Sequence, residues 1–211
     1  MGKFIVDLNT IKVLKKKDLG KEEPLLWLFG IAIDLSAGSS SDPTRFILKN
    51  LPTPGNLGGS FKKGESRAIP NSVGQVEKEV KPVLGMLALG FIVMAWDHDK
   101  TPTSAVQAAY RDAAQVINDF VQERVTALNT DPLSSAEIKV LKGAIEEHIR
   151  ERFKASVTLK RPGTLNQDDF VGMDYRFFTP DPATAQSENL AMRFTARSVD
   201  YQVTGVMQYT P

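Results

Sequence analysis

The sequence contains no cysteine, has only two histidines among its 211 residues, and carries nearly balanced charge. Without cysteine the chain can form neither a disulfide nor a thiolate metal site, and it has no cysteine nucleophile. His98 and His148 are too few for a histidine-rich zinc site, and neither lies in a motif that pairs a nucleophile with a base. Because 26 Lys and Arg accompany 25 Asp and Glu, no basic excess indicates a nucleic-acid partner. An enzyme is therefore the least expected function class.

Long hydrophobic runs are also missing. The most apolar segment, residues 83–96, is too short to cross a bilayer as a helix, and Gly85 and Gly90 interrupt it. We interpret it as a buried strand that ends at Trp96 and Asp97. The N-terminal residues lack the apolar core of a signal peptide, so the expected location is cytoplasmic, or outside the cell after release without a classical signal.

Period-two alternation dominates the first hundred residues. Residues 3–14 alternate apolar and polar, and the alternation changes phase near Asn9, which predicts a β-bulge. Residues 25–35 place Trp27 and other large apolar side chains on one face and small residues on the other, which is typical of a central strand. Both tryptophans, Trp27 and Trp96, are predicted to lie in the core.

Two amphipathic helices interrupt this pattern. Residues 102–128 have apolar residues at helical spacing, and a second helix begins at Ser134, which forms a capping-box pattern with Glu137. The short link between them predicts an antiparallel helical hairpin, at about residues 102–152. Alternation resumes at Phe153 and predicts further strands. We therefore expect one α+β domain over residues 1–211, an antiparallel β-sandwich with the hairpin inserted.

Four aspartates stand at predicted strand ends or in the loops beside them: Asp34, Asp42, Asp97 and Asp99. Loops at one end of a β-sandwich can bring several carboxylates to one point, and calcium takes six to eight oxygen ligands in irregular geometry. Grouped carboxylates repel one another unless a cation joins them. The sequence therefore predicts a calcium site made by these four residues. In the alternative, Asp97 only ends its strand and Asp99 supplies a favourable negative charge before a helix.

Two short motifs resemble those of C2 domains. "SSSDPTRFILK" (39–49) is similar to the family's Ser-Asp-Pro stretch, and "GFIVMAWDHDKTP" (90–102) is similar to its strand ending in Trp-Asp-x-Asp. The resemblance implies an eight-stranded β-sandwich whose loops bind calcium and then phospholipid, with Asp42, Asp97 and Asp99 as calcium ligands. The sequence departs from the family at Thr44, where an aromatic residue is usual, and in the helical segment after Asp99.

The function expected from these patterns is a non-enzymatic binding module, calcium-dependent if the acids bind metal, that recognises a membrane surface or a glycan receptor. The alternative is a bacterial toxin or effector of the insecticidal or pore-forming type. Its β framework would bind the receptor and its helical hairpin would act on the membrane. No pair of acids indicates glycoside hydrolysis, and Asp168 and Asp169 are interpreted as a solvated turn. The sequence leaves the ligand and the oligomeric state open.

Overall fold

The structure is a computed structural model. It describes residues 2–15, 23–34, 45–47, 55–80, 87–98, 101–127, 134–158, 169–196 and 199–211. The strands in these ranges are β1 (Gly2–Lys15), β2 (Pro24–Asp34), β3 (Arg45–Ile47), β4 (Ser66–Ala68), β5 (Gln75–Val80), β6 (Leu87–Asp97), β7 (Asp169–Phe178), β8 (Gln186–Ala196) and β9 (Val199–Thr210). The helices are α1 (Asn71–Gly74), α2 (Thr103–Thr126) and α3 (Ser135–Thr158).

The strands form two antiparallel sheets in a β-rich, sandwich-like arrangement. The first sheet has the order β4-β1-β9-β8, and β5 also pairs with β1; the second has the order β3-β2-β6-β7. The predicted antiparallel β-sandwich is confirmed at this level. Strands β7 and β8 are consecutive in the chain but belong to different sheets, and they lie next to each other at one edge of the sandwich.

The alternation in β1 has the structural consequence that the sequence predicts. Phe4, Val6 and Leu8 are fully buried, and a register shift between Leu8 and Thr10 then moves Ile11 and Val13 into the buried phase. The bulge predicted near Asn9 is therefore confirmed. Without the extra residue, the second half of the strand would turn its apolar side chains toward solvent.

Strands β2 and β6 separate two hydrophobic cores. Their inward side chains, including Leu26, Leu28 and Phe91, join the first sheet in the sandwich core. Their outward side chains, including Trp27 and Trp96, belong to a second core, which we call the outer core. Both faces of these strands are buried, as predicted for a central strand. The two tryptophans are in the core, as predicted, but in the outer one.

Helices α2 and α3 cover the outer face of the second sheet. Val106, Ala109 and Ala113 of α2 and Leu141 and Ile145 of α3 belong to the outer core, and the two helices contact each other. This burial explains the helical spacing of the apolar residues. Residues 128–133 lie outside the described residues, so the antiparallel hairpin stays a prediction.

The start of α3 confirms the predicted capping box. The backbone N–H of Glu137 donates to the Ser134 hydroxyl at 3.2 Å, and the Glu137 carboxylate accepts the Ser134 backbone N–H at 2.8 Å. The strand predicted from Phe153 is wrong, because α3 continues to Thr158. Phe153 and Val157 are four residues apart, a spacing that fits a helix as well as a strand. None of the helices in the described part of the chain has the length and apolar character needed to span a bilayer.

Candidate functional site

The pairing of β2 with β6 separates two of the four predicted calcium ligands. Asp97 lies opposite Pro24, whereas Asp34 lies opposite Leu87 at the other end of the same strand pair. Ten residues of strand therefore separate them along the ladder, a distance of about 33 Å. One cation cannot contact both carboxylates, so this geometry corrects the grouping of Asp34 with Asp97.

The Asp97 side chain points into the sandwich. It is 4% exposed, and the hydroxyl of Tyr201, on the opposite sheet, donates to its Oδ1 atom at 3.4 Å. Strand β6 ends at Asp97. Asp99 and Asp42 lie outside the described residues, and Asp97 is therefore the predicted ligand whose side chain can be placed.

A second aspartate lies beside Asp97 in the backbone register. Asp169, interpreted from sequence as part of a solvated turn, is the first residue of β7 and the direct partner of Asp97. No pattern in the local sequence indicates this pairing, because the two residues are far apart in the chain. Within the described ranges, no three His, Asp or Glu side chains group closely enough to hold a metal ion.

A cleft opens at the edge where β7 and β8 bring the two sheets together. Its volume is about 210 Å³, and its walls are formed by Phe178, Gln186, Ser187, Glu188, Met207 and Tyr209. The β8 positions explain its polarity. Leu190 and the alternate residues after it are buried in the sandwich core, but at the start of the strand the same phase is occupied by Gln186 and Glu188. Polar groups therefore replace apolar ones at this end of the sandwich.

Tyr209 supplies an unusual group to this cleft. The residue is 1% exposed, and its buried hydroxyl has no hydrogen-bond partner among the described residues. Burial, followed by the negative charge of Asp181, raises the pKa of Tyr209, so the phenol keeps its proton at neutral pH. Gly2 makes room for the ring, since a Cβ atom there would lie 2.9 Å from the hydroxyl oxygen.

The charged groups near the cleft already have partners. The Nε atom of Arg176 lies 3.5 Å from the Glu188 carboxylate across the β7–β8 edge, and Arg176 also donates to Asp174 at 2.9 Å. Asp181 accepts hydrogen bonds from the Ala183 backbone N–H and the Thr184 hydroxyl, each at 2.9 Å. These two bonds lower the pKa of Asp181, with the backbone N–H contributing more. The carboxylates of Glu188 and Asp181 are therefore held in place by neighbouring donors.

Little in the sequence predicts this cleft. Its walls come from three strands, and its one local signal is the pair Gln186 and Glu188 in the phase that Leu190 continues. A comparison with protein-family models finds no match, and a comparison with curated proteins finds none either.

Proposed function

We propose that this chain is a non-enzymatic binding module that recognises a glycan or lipid surface through the cleft at the β7–β8 edge. The observation that carries the proposal is Tyr209, a residue of the cleft wall whose buried hydroxyl lacks a partner among the described residues. A buried polar group without a partner destabilises the fold, and such groups are rare in native proteins. A ligand that bonds this hydroxyl would satisfy it.

The size of the cleft favours a small head group. A volume of about 210 Å³ is below the range of roughly 300–1,000 Å³ that is typical of pockets for drug-sized ligands. The cleft suits one terminal unit of a larger molecule, such as a single sugar residue or lipid head group. Its walls offer an amide, a hydroxyl, a phenol and a carboxylate, which are the groups that fix a ligand by hydrogen bonds.

Binding of labelled protein to immobilised glycans and to lipid vesicles tests this function. We expect the wild type to bind at least one of these surfaces, and Gln186→Ala to weaken that binding because Gln186 lines the cleft. Gln202→Ala is the matched control, since Gln202 is an exposed residue of β9 outside the cleft. Failure of the wild type to bind any of these surfaces would refute the proposed function.

Calcium is a second part of the proposal. It rests on the C2 resemblance and on the buried Asp97 carboxylate, beside which the backbone places Asp169. Asp97, with Asp99 two residues later in the sequence, would supply oxygen ligands of the type that calcium prefers. Bound calcium would neutralise these acids at the end of the sandwich opposite Asp34.

We expect calcium to raise the melting temperature of the wild type relative to EDTA, because a ligand that binds only the folded state stabilises it. The gain is about 2.7 kcal/mol when free calcium is a hundredfold above its dissociation constant. Asp97→Asn should lose this calcium-dependent shift. Asp34→Asn should keep it, because Asp34 lies at the other end of the β2–β6 pair. Identical wild-type curves in calcium and EDTA would remove calcium from the proposal.

The toxin or effector function remains as the alternative, and the separation of the two cores favours it. The described side chains of helices α2 and α3 that are buried belong to the outer core, and none of them belongs to the sandwich core. If they form the predicted hairpin, they could leave the sheet while the sandwich core stayed intact.

Because the chain has no cysteine, Val140→Cys, at an exposed position of α3, can carry a single polarity-sensitive dye. Dye burial together with vesicle leakage would favour this alternative, whereas neither is expected from a binding module.

A further inference from the structure

We infer that the ligand of the β7–β8 cleft is an uncharged, hydroxyl-bearing group of about the size of a sugar ring, and that the Tyr209 hydroxyl bonds it directly. This inference rests on the proposed function and adds the chemical class of the ligand. The group could come from a free glycan or from the head of a glycolipid, since both present the same hydroxyls.

The charges around the cleft disfavour an anion. Glu188 lines the cleft, and the Asp181 carboxylate is close enough to raise the pKa of Tyr209. The nearby cation in the described part of the chain, Arg176, is engaged by Asp174, by Glu188 and by the Tyr175 carbonyl. A phosphate or carboxylate ligand would therefore meet two negative charges and a guanidinium that is already bonded.

The same contacts disfavour an organic cation, although less strongly. Arg176 offsets the charge of Glu188, and each oxygen of Asp181 accepts a hydrogen bond from its own turn. Phe178 and Tyr209 do present aromatic rings, which can attract a quaternary ammonium group. A quaternary ammonium ligand is therefore the competing possibility that the experiment must separate from a neutral one.

A neutral polyol matches the cleft in both its polar and its apolar parts. Each ligand hydroxyl can donate to Glu188 and accept from Gln186 or Tyr209, since a hydroxyl both donates and accepts. The C–H face of a sugar ring is apolar and can pack on Phe178 and Met207. The Tyr209 phenol, whose pKa is raised, remains protonated and able to donate at neutral pH.

Tyr209→Phe tests the inference because it removes one oxygen and leaves the ring. The variant should melt at the same temperature as the wild type or higher, since the oxygen it removes is buried without a partner among the described residues. Its affinity for a neutral polyol should fall about tenfold or more, the loss expected for one hydrogen bond to a buried group. Tyr175→Phe is the matched control, because Tyr175 lies on β7 beside the outer core.

Affinities should be measured by calorimetry with methyl glycosides of the common hexoses and with myo-inositol, and compared with inorganic phosphate and tetramethylammonium. Each probe should then be tested as a competitor of the binding of the wild type to its surface. The ligand sources to compare are phosphatidylcholine vesicles with and without a neutral glycolipid, and soluble oligosaccharides. Tighter binding of a neutral probe that Tyr209→Phe weakens and Tyr175→Phe preserves would support the inference. Preference for phosphate or tetramethylammonium, or surface binding unchanged in Tyr209→Phe, would overturn it while leaving the proposed function in place. Absence of binding to every surface would refute the proposed function as well.

Discussion

Trp27→Ala is expected to lower the free energy of unfolding by about 3–5 kcal/mol, the usual cost of truncating a large buried aromatic side chain. Trp27 is completely buried between β2 and the helices. Its ring centroid lies 4.9 Å from that of Trp96 and 5.5 Å from that of Tyr110, which belongs to α2. The variant would leave a cavity where the sheet and the helices meet. Urea unfolding of both proteins, followed by circular dichroism, measures the difference.

Val140→Ala is the control for this prediction. Val140 is also apolar, but it is 69% exposed on α3, and a surface truncation usually changes stability by no more than about 0.5 kcal/mol. A loss below about 1 kcal/mol for Trp27→Ala would contradict this packing, because truncating a fully buried aromatic side chain to alanine usually costs about 3–5 kcal/mol. That outcome would mean that the helices do not cover the outer face of the second sheet.

Gly205→Ala is expected to destabilise the fold by about 1–3 kcal/mol, the usual cost of forcing extra atoms into a packed site. Gly205 pairs with Leu8 beside the bulge in β1. A Cβ atom there would lie 2.3 Å from the Asp7 carbonyl oxygen and 2.8 Å from the Leu8 Cα atom, and both are backbone atoms. The strands must therefore move apart to accept the methyl group. Thermal and urea unfolding measure the loss.

Gly143→Ala provides the matched control, and its expected effect has the opposite sign. Gly143 lies in α3, and a Cβ atom there would meet nothing within 4 Å. Alanine favours a helix over glycine by up to about 1 kcal/mol, so the variant should be more stable than the wild type. A stabilising effect of Gly205→Ala would contradict the close approach of β1 and β9 at the bulge.

Local sequence patterns predicted the elements whose signals are local. The phase shift near Asn9, the two-sided burial of β2 and the capping box at Ser134 each depend on residues close together in the chain, and each is confirmed. Strand β5 was missed because its residues are mostly polar, with Val76 and Val80 as the exceptions. Its pairing with β1 is a tertiary interaction, and such contacts often outweigh the propensity of the residues.

The candidate site was less predictable, because it depends on which strand ends meet. The sequence places aspartates at strand ends, but the register decides that Asp34 and Asp97 lie at opposite ends of one strand pair. It also decides that Asp169 lies beside Asp97. The cleft has the same dependence, because Phe178, Glu188 and Tyr209 come from three different strands. A pattern read along one strand cannot show that these residues face a common space.

The most direct test of the central claim, that the β7–β8 cleft binds the ligand, is a titration of the isotope-labelled chain followed by NMR of the backbone amides. The neutral sugar that binds most tightly in calorimetry is the probe. We expect shifts concentrated at residues 186–188, Met207 and Tyr209, which line the cleft, and the same shifts to be reduced in Tyr209→Phe. Shifts concentrated around Asp97 or along α2 and α3, with the cleft residues unchanged, would contradict the account and place binding elsewhere on the molecule.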